Sequence, residues 1–192
     1  MAVEAVVFDV GETLVDETSM WTRVAENGGV TPFTLMAGLG ATIALGRPHS
    51  DVWELLGIEH PAGEWAFEDW YPDAEACLGR LRDAGYRVAA VGNTPAFVER
   101  TLAERVEVLG SSESWGVAKP ARRFFELVAD RLALPPAKIA YVGDRVDNDV
   151  VPALAAGLVA VHVRRGPWGY LQKAPAEAVR IASLEELPEA LS

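Results

Sequence analysis

Apolar positions along this chain follow two periods. Val3-Glu4-Ala5-Val6-Val7-Phe8 is a short run that ends in Asp9 and breaks at once into Val10-Gly11-Glu12-Thr13-Leu14. That pattern predicts a buried strand with a carboxylate at its C-terminal tip. From Tyr71 onward the period alternates. Asp73 to Ala84 spaces Ala76, Leu78, Leu81 and Ala84 on one helical face and stops at Gly85. Arg87 to Val91 reads as a strand ending at Gly92-Asn93-Thr94, Pro95 to Arg105 as a helix, and Val106 to Leu109 as a short strand. Ala121 to Leu132 is an amphipathic helix carrying Phe124, Phe125, Leu127 and Val128. Ile139 to Val142 is a strand ending at Gly143-Asp144; a helix through Val150 to Ala156 ends at Gly157, and Leu158 to Val163 is a further strand. Strands alternating with helices at this spacing predict right-handed βαβ units in an α/β, doubly wound parallel sheet.

Residues from about Asp16 to Trp70 break the rhythm, where a βα connection needs only a few residues. The segment is helical in pattern and contains Trp21, Trp53 and Trp65. It is placed to roof the C-terminal edge of the sheet. Within it, Val30 to Gly46 carries no charge. The stretch falls short of the ~20 residues a bilayer requires. Thr31 and Pro32 read as N-cap and first helical residue, with Val30 and Leu35 placed for a hydrophobic staple, so a buried helix is expected.

Composition narrows the chemistry. The chain has 192 residues, 50% of them hydrophobic and 23% charged, as expected of one folded domain with a modest insertion. Its formal net charge of −11 disfavours nucleic acid or an anionic membrane as partner. A small anionic substrate stays compatible, because one metal ion and one lysine reverse the sign locally. Cys77 is the single cysteine, which excludes an internal disulfide and a Cys-based zinc site. The N-terminal residues lack signal-peptide organisation, and a cytoplasmic location is expected. The sequence says nothing of oligomeric state.

In a parallel sheet all strand ends converge on one side. Asp9 and Thr13, then Gly92, Asn93 and Thr94, then Lys119, then Asp144, Asp147 and Asp149 are thereby brought to one edge. Hard oxygen ligands with a lysine suit Mg²⁺ and phosphate, and an ionised Asp can attack phosphorus.

In this order the residues resemble the haloacid dehalogenase-like (HAD) hydrolase superfamily. Phe8-Asp9-Val10-Gly11-Glu12-Thr13-Leu14 is similar to the first motif of that family. Val91-Gly92-Asn93 falls at the second, Lys119-Pro120 with Phe124-Phe125 at the third, and Gly143-Asp144 through Asp149 at the fourth. The resemblance implies a three-layer core of residues 1–15 and 71–192, with a small helical cap of residues 16–70. It implies Asp9 as nucleophile and Mg²⁺ ligand, the backbone carbonyl of Gly11 and the Asp144 carboxylate as further ligands, and Asp149 as a ligand or its support. Lys119 would orient Asp9 and screen phosphate; Thr13, Asn93 and Thr94 would contact substrate, a small phosphorylated metabolite.

Two positions depart from the family pattern. Gly11 stands where phosphatases of the family carry an acid–base Asp, and Gly92 stands where they carry a hydroxyl. Glu12 is the nearest surrogate acid, and Thr94 the nearest surrogate hydroxyl. Family dehalogenases lack the Asp144 motif, and phosphonatases need a cap lysine, which residues 16–70 do not contain. Two functions remain open: a Mg²⁺-dependent phosphohydrolase with weakened acid–base help, or a catalytically silent domain that binds a phospho-ligand or a protein. Asp147 reads as an exposed loop carboxylate, His49, His60 and His162 as structural, the cap tryptophans as packing, and Arg164 to Trp168 as a surface loop.

Overall fold

The computed structural model describes residues 2–61 and 69–192. Six strands form one parallel sheet: β1 (Ala5–Phe8), β2 (Arg87–Ala90), β3 (Glu107–Val108), β4 (Ile139–Gly143), β5 (Val159–Val163) and β6 (Val179–Ile181), in the order β3-β2-β1-β4-β5-β6. β1 lies at the centre, with Val7 opposite Ala89 on one side and Tyr141 on the other. Strands flank it on both sides, helices cover both faces and every residue is buried, which is why it reads as an unbroken apolar run.

Successive β1 side chains feed two cores. Val6 and Phe8 pack with α4 (Ala74–Asp83), α5 (Val98–Ala103) and α10 (Leu187–Ala190) through Cys77, Leu78, Leu81, Leu102 and Leu187. Ala5 and Val7 pack with α7 (Arg122–Leu132) and α8 (Val151–Ala155) through Phe124, Phe125, Val128 and Ala153. The result is the expected three-layer α/β sandwich.

Among the described residues, three helices lie between β1 and α4: α1 (Thr18–Asn27), α2 (Pro32–Ala44) and α3 (Asp51–Leu56). They share a separate apolar cluster of Val24, Leu35, Leu39, Ile43, Val52 and Trp53. The Thr31 hydroxyl accepts the Thr34 N–H at 3.1 Å, the N-cap expected from sequence. The uncharged helix is buried on one face only, since Phe33 is 85% exposed. Trp65 lies outside the described residues. Where the chain leaves and re-enters the core, Val15 bridges Trp70 and the Tyr71 N–H donates to the Leu14 carbonyl, pinning the two connections side by side.

Several elements differ from the pattern reading. Helix α5 begins only at Val98, because Pro95 to Phe97 turn first and the Ala96 N–H is capped by Glu113 of α6 (Ser112–Trp115). The Val150 helix is preceded by a wide π turn over Val146–Val150, which lets the Asp149 carboxylate fold back to the Arg145 N–H at 3.0 Å. Arg164 to Trp168 is not a surface loop. Arg165 is buried, donates to the Thr13 carbonyl at 2.9 Å, pairs with Asp73 and stacks over Tyr71. Helix α9 (Gly166–Leu171) follows it and sets Trp168 into the cluster of α1–α3.

Candidate active site

Asp9 follows β1 directly, at the point where the sheet order reverses and crossovers diverge to either side. In open α/β sheets this is where ligands bind. The cavity there has a volume of about 160 Å³, and its wall includes Asp9, Gly11, Glu17, Thr94, Lys119 and Asp144. Trp21, His49 and Trp168 close the side toward the helical layer.

Lys119 organises the floor. Its ammonium lies 2.6 Å from Asp9 Oδ1 and 2.6 Å from Asp149 Oδ1, fully enclosed between them. Burial alone would lower its proton affinity, but Asp149 and Asp9 outweigh that and hold it well above the ordinary lysine range. Asn93 fixes the lysine from behind: its side-chain oxygen accepts the Lys119 N–H at 2.8 Å, and its amide donates to the Lys119 carbonyl at 3.0 Å. The Asn93 amide is therefore committed at both ends to Lys119 and positions it from the cavity wall.

Asp144 is 2% exposed and its Oδ2 has no hydrogen-bond partner among the described residues. His162 Nε2 lies 3.0 Å from its backbone oxygen and steadies the turn. Burial, then the charges of Asp149 and Asp9, push the Asp144 carboxyl well above its usual range. Asp9, Asp144 and Asp149 each offer an oxygen within 4.8 Å of the others. A buried oxygen without a partner, among carboxylates at that spacing, is a donor set that fits a hard divalent cation.

The other sequence-predicted residues divide. Thr94 reaches the wall beside Asp9. Thr13 does not reach it: its side chain is fully buried, and it contributes backbone groups to the turn instead. Asp149 stands behind Lys119, with its oxygens taken by the lysine and the Arg145 N–H. Asp147 pairs with Arg145 at 2.9 Å. His49, read as structural, lines the cavity and packs edge-on against Trp168.

Glu12 is not a free acid. It adopts φ of 50°, a left-handed conformation unusual for a side chain of its size. Its Oε2 accepts the Tyr71 hydroxyl at 2.6 Å and its Oε1 accepts the Glu17 N–H at 3.0 Å. Burial raises its pKa, and those hydrogen bonds only partly offset the rise.

Sequence reasoning missed Glu17. Its Oε2 accepts the Trp21 indole N–H at 3.2 Å, and burial, reinforced by Glu12, pushes its carboxyl up to about 8. A side chain built on Gly11 would run into its Oε1 and lie 2.7 Å from its Cδ. The signal available in the sequence was an acid at the start of the first inserted helix. Only the reversal of the chain through residues 10–15 brings it back to residue 11.

A parallel doubly wound sheet with a carboxylate–lysine–carboxylate cluster at its switch point defines a class of α/β hydrolytic proteins. The family model for haloacid dehalogenase-like hydrolases matches residues 3–157, and the chain belongs to that family. It is 28% identical to a glyceraldehyde 3-phosphate phosphatase of Methanopyrus kandleri, over 86% of each chain. It is also 28% identical to a phosphoglycolate phosphatase of Cereibacter sphaeroides, over 80% of this chain and 81% of that one. Its fold is similar to that of YfnB from Bacillus subtilis, solved bound to magnesium, with a TM-score of 0.72 at 17% identity over the whole of both chains. No helix among the described residues is long and apolar enough to cross a membrane.

Proposed function

We propose that this chain is a Mg²⁺-dependent phosphohydrolase acting on a small phosphorylated metabolite beneath a cap that includes α1–α3. The carrying observation is the pairing of Asp9 with the enclosed Lys119 beside the partnerless Asp144 oxygen. Asp9 Oδ1 is held by Lys119, and Oδ2 has no partner among the described residues, so a carboxylate oxygen is free to attack phosphorus. The Lys119 charge meets the phosphoryl oxygens as the new bond forms. Thr94 contributes a hydroxyl at the wall. Asp9, Asp144 and the Gly11 carbonyl would hold Mg²⁺, with Asp149 keeping Lys119 in place. When bound, the ion neutralises phosphoryl charge and relieves repulsion among the carboxylates. The phosphatase relatives and the small cavity support a metabolite-sized substrate.

The test is turnover of p-nitrophenyl phosphate with Mg²⁺, in wild type and Asp9→Asn. Mg²⁺-dependent release of nitrophenol that falls to background in Asp9→Asn supports the proposal. No turnover, with thermal stabilisation by Mg²⁺ and phosphate retained, favours the silent binding domain instead.

A further inference from the structure

Transferring a phosphoryl group from an unactivated ester to Asp9 expels an alkoxide. Its oxygen needs a proton as the bond to phosphorus breaks. Among the described residues on the cavity wall, the Arg145 guanidinium, a base too strong to give up its proton, pairs with Asp147 and stacks over Trp168. Lys119 is bound between Asp9 and Asp149. Glu12 has both oxygens engaged, by the Tyr71 hydroxyl and the Glu17 N–H. Asp144 sits within the carboxylate cluster that fits a cation. His49 packs against the Trp168 ring, centroids 6.0 Å apart.

Glu17 is placed differently. Trp21 holds its Oε2, while Oε1 has no hydrogen-bond partner among the described residues. The Glu17 N–H is anchored to Glu12, which Tyr71 anchors in turn, so the residue is fixed from both backbone and side chain. Its Oε1 fills the space where a side chain on Gly11 would begin. Residue 11 therefore presents a carboxyl to the cavity, supplied by residue 17.

Resting on the hydrolase reading above, we propose that Glu17 is the acid–base group of this site. As the Asp9 oxygen bonds to phosphorus, the ester oxygen leaves with the electron pair of the broken P–O bond and takes the Glu17 proton. Glu17, now a carboxylate, takes a proton from the water whose oxygen attacks the aspartyl-phosphate. Inorganic phosphate leaves, Asp9 is regenerated and Glu17 is protonated again. The sum is ester plus water giving alcohol plus phosphate.

The experiment compares p-nitrophenyl phosphate with phenyl phosphate, which are similar in size but differ in how much the leaving oxygen needs a proton. Because kcat/KM reports the first transfer only, Glu17→Gln is expected to lower it on the order of 10²-fold for phenyl phosphate and far less for p-nitrophenyl phosphate. With the second step slowed, the variant should release a burst of nitrophenol near one per site. The double variant Gly11→Asp with Glu17→Ala, which moves the carboxyl to residue 11, is expected to recover phenyl phosphate turnover and covers the case in which Glu17→Gln does not fold. Equal losses on both substrates, no loss on either, or a leaving-group-dependent loss in His49→Gln instead, overturns the assignment. Wild-type turnover abolished by Asp9→Asn keeps the hydrolase reading standing whichever of these is found; without that turnover both readings fall.

Discussion

Replacing Asp144 by Asn is expected to stabilise the metal-free protein while removing its response to Mg²⁺. Asp144, Asp9 and Asp149 offer oxygens within 4.8 Å of one another, and among the described residues Lys119 is the one ammonium paired with this cluster, through Asp9 and Asp149. At that separation a like-charge pair costs about 3.5 kcal/mol with an effective dielectric of about 20. Neutralising Asp144 relieves two such repulsions and forfeits one attraction to Lys119, a net of about one pair. That figure is a ceiling, because the raised pKa of Asp144 means a proton already relieves part of it. A gain of about 1–3 kcal/mol is therefore expected, or roughly 3–10 °C in Tm for a chain of this size.

The assay is thermal unfolding in EDTA and again in excess Mg²⁺. Wild type should gain about 2.7 kcal/mol at a hundred times the Kd, and Asp144→Asn little. The pH dependence gives an independent reading. An acid whose pKa is raised on folding stabilises below its unfolded value, and that contribution is lost as pH climbs through the folded value. Glu17, raised from 4.5 to about 8, sets the window. Metal-free wild type should lose stability between pH 4.5 and about 8, with a shallower loss in Asp144→Asn. A metal-free Asp144→Asn that melts at or below wild type would refute the reasoning.

Other perturbations separate contact from position. Gly92→Ser puts back a hydroxyl, yet its Cβ would lie 2.6 Å from Asp9 Oδ1, so p-nitrophenyl phosphate turnover should fall by an order of magnitude or more. Asn93→Ala removes both bonds to the Lys119 backbone and should cost about 1–3 kcal/mol in urea unfolding, with a reduced kcat. Trp168→Ala withdraws the ring that α9 sets into the cluster of α1–α3, and a loss near 3 kcal/mol in the same assay is expected. Equal stability in either of the last two variants would show that the contact is not a support.

The sheet and much of its edge chemistry were legible because buried parallel strands leave a strong signal. Asp9 and Asp144 each close or follow a run of fully buried residues, so their placement follows from the strand itself. Lys119 was legible from Pro120 and the aromatic helix beyond it. Edge strand β6 was not: it has three residues, with exposed Arg180 between Val179 and Ile181, and no apolar run to detect. Helix α9 was hidden by composition, since Gly-Pro-Trp-Gly reads as a turn. Thr13 was misjudged for a related reason. A hydroxyl near a strand end faces either the ligand or the core, and the turn that decides between them is held by Arg165, 152 residues further on.

The two glycines read as losses of function, Gly11 and Gly92, have a different meaning in three dimensions. A side chain at Gly92 would meet Asp9, one at Gly143 would meet the Asp149 carboxyl, and one at Gly11 would meet the carboxyl of Glu17. At each position the missing side chain is space that a carboxylate already occupies. A sequence alignment scores position 11 as empty because it counts side chains by residue number, whereas the cavity is lined by whichever atoms arrive there. Restoring Asp at position 11 alone would therefore force a second carboxyl into occupied space, and its repulsion from Glu17 would displace one of the two. Transfer of the carboxyl succeeds only when residue 17 vacates the site, and that dependence is what separates a replaced acid from a missing one.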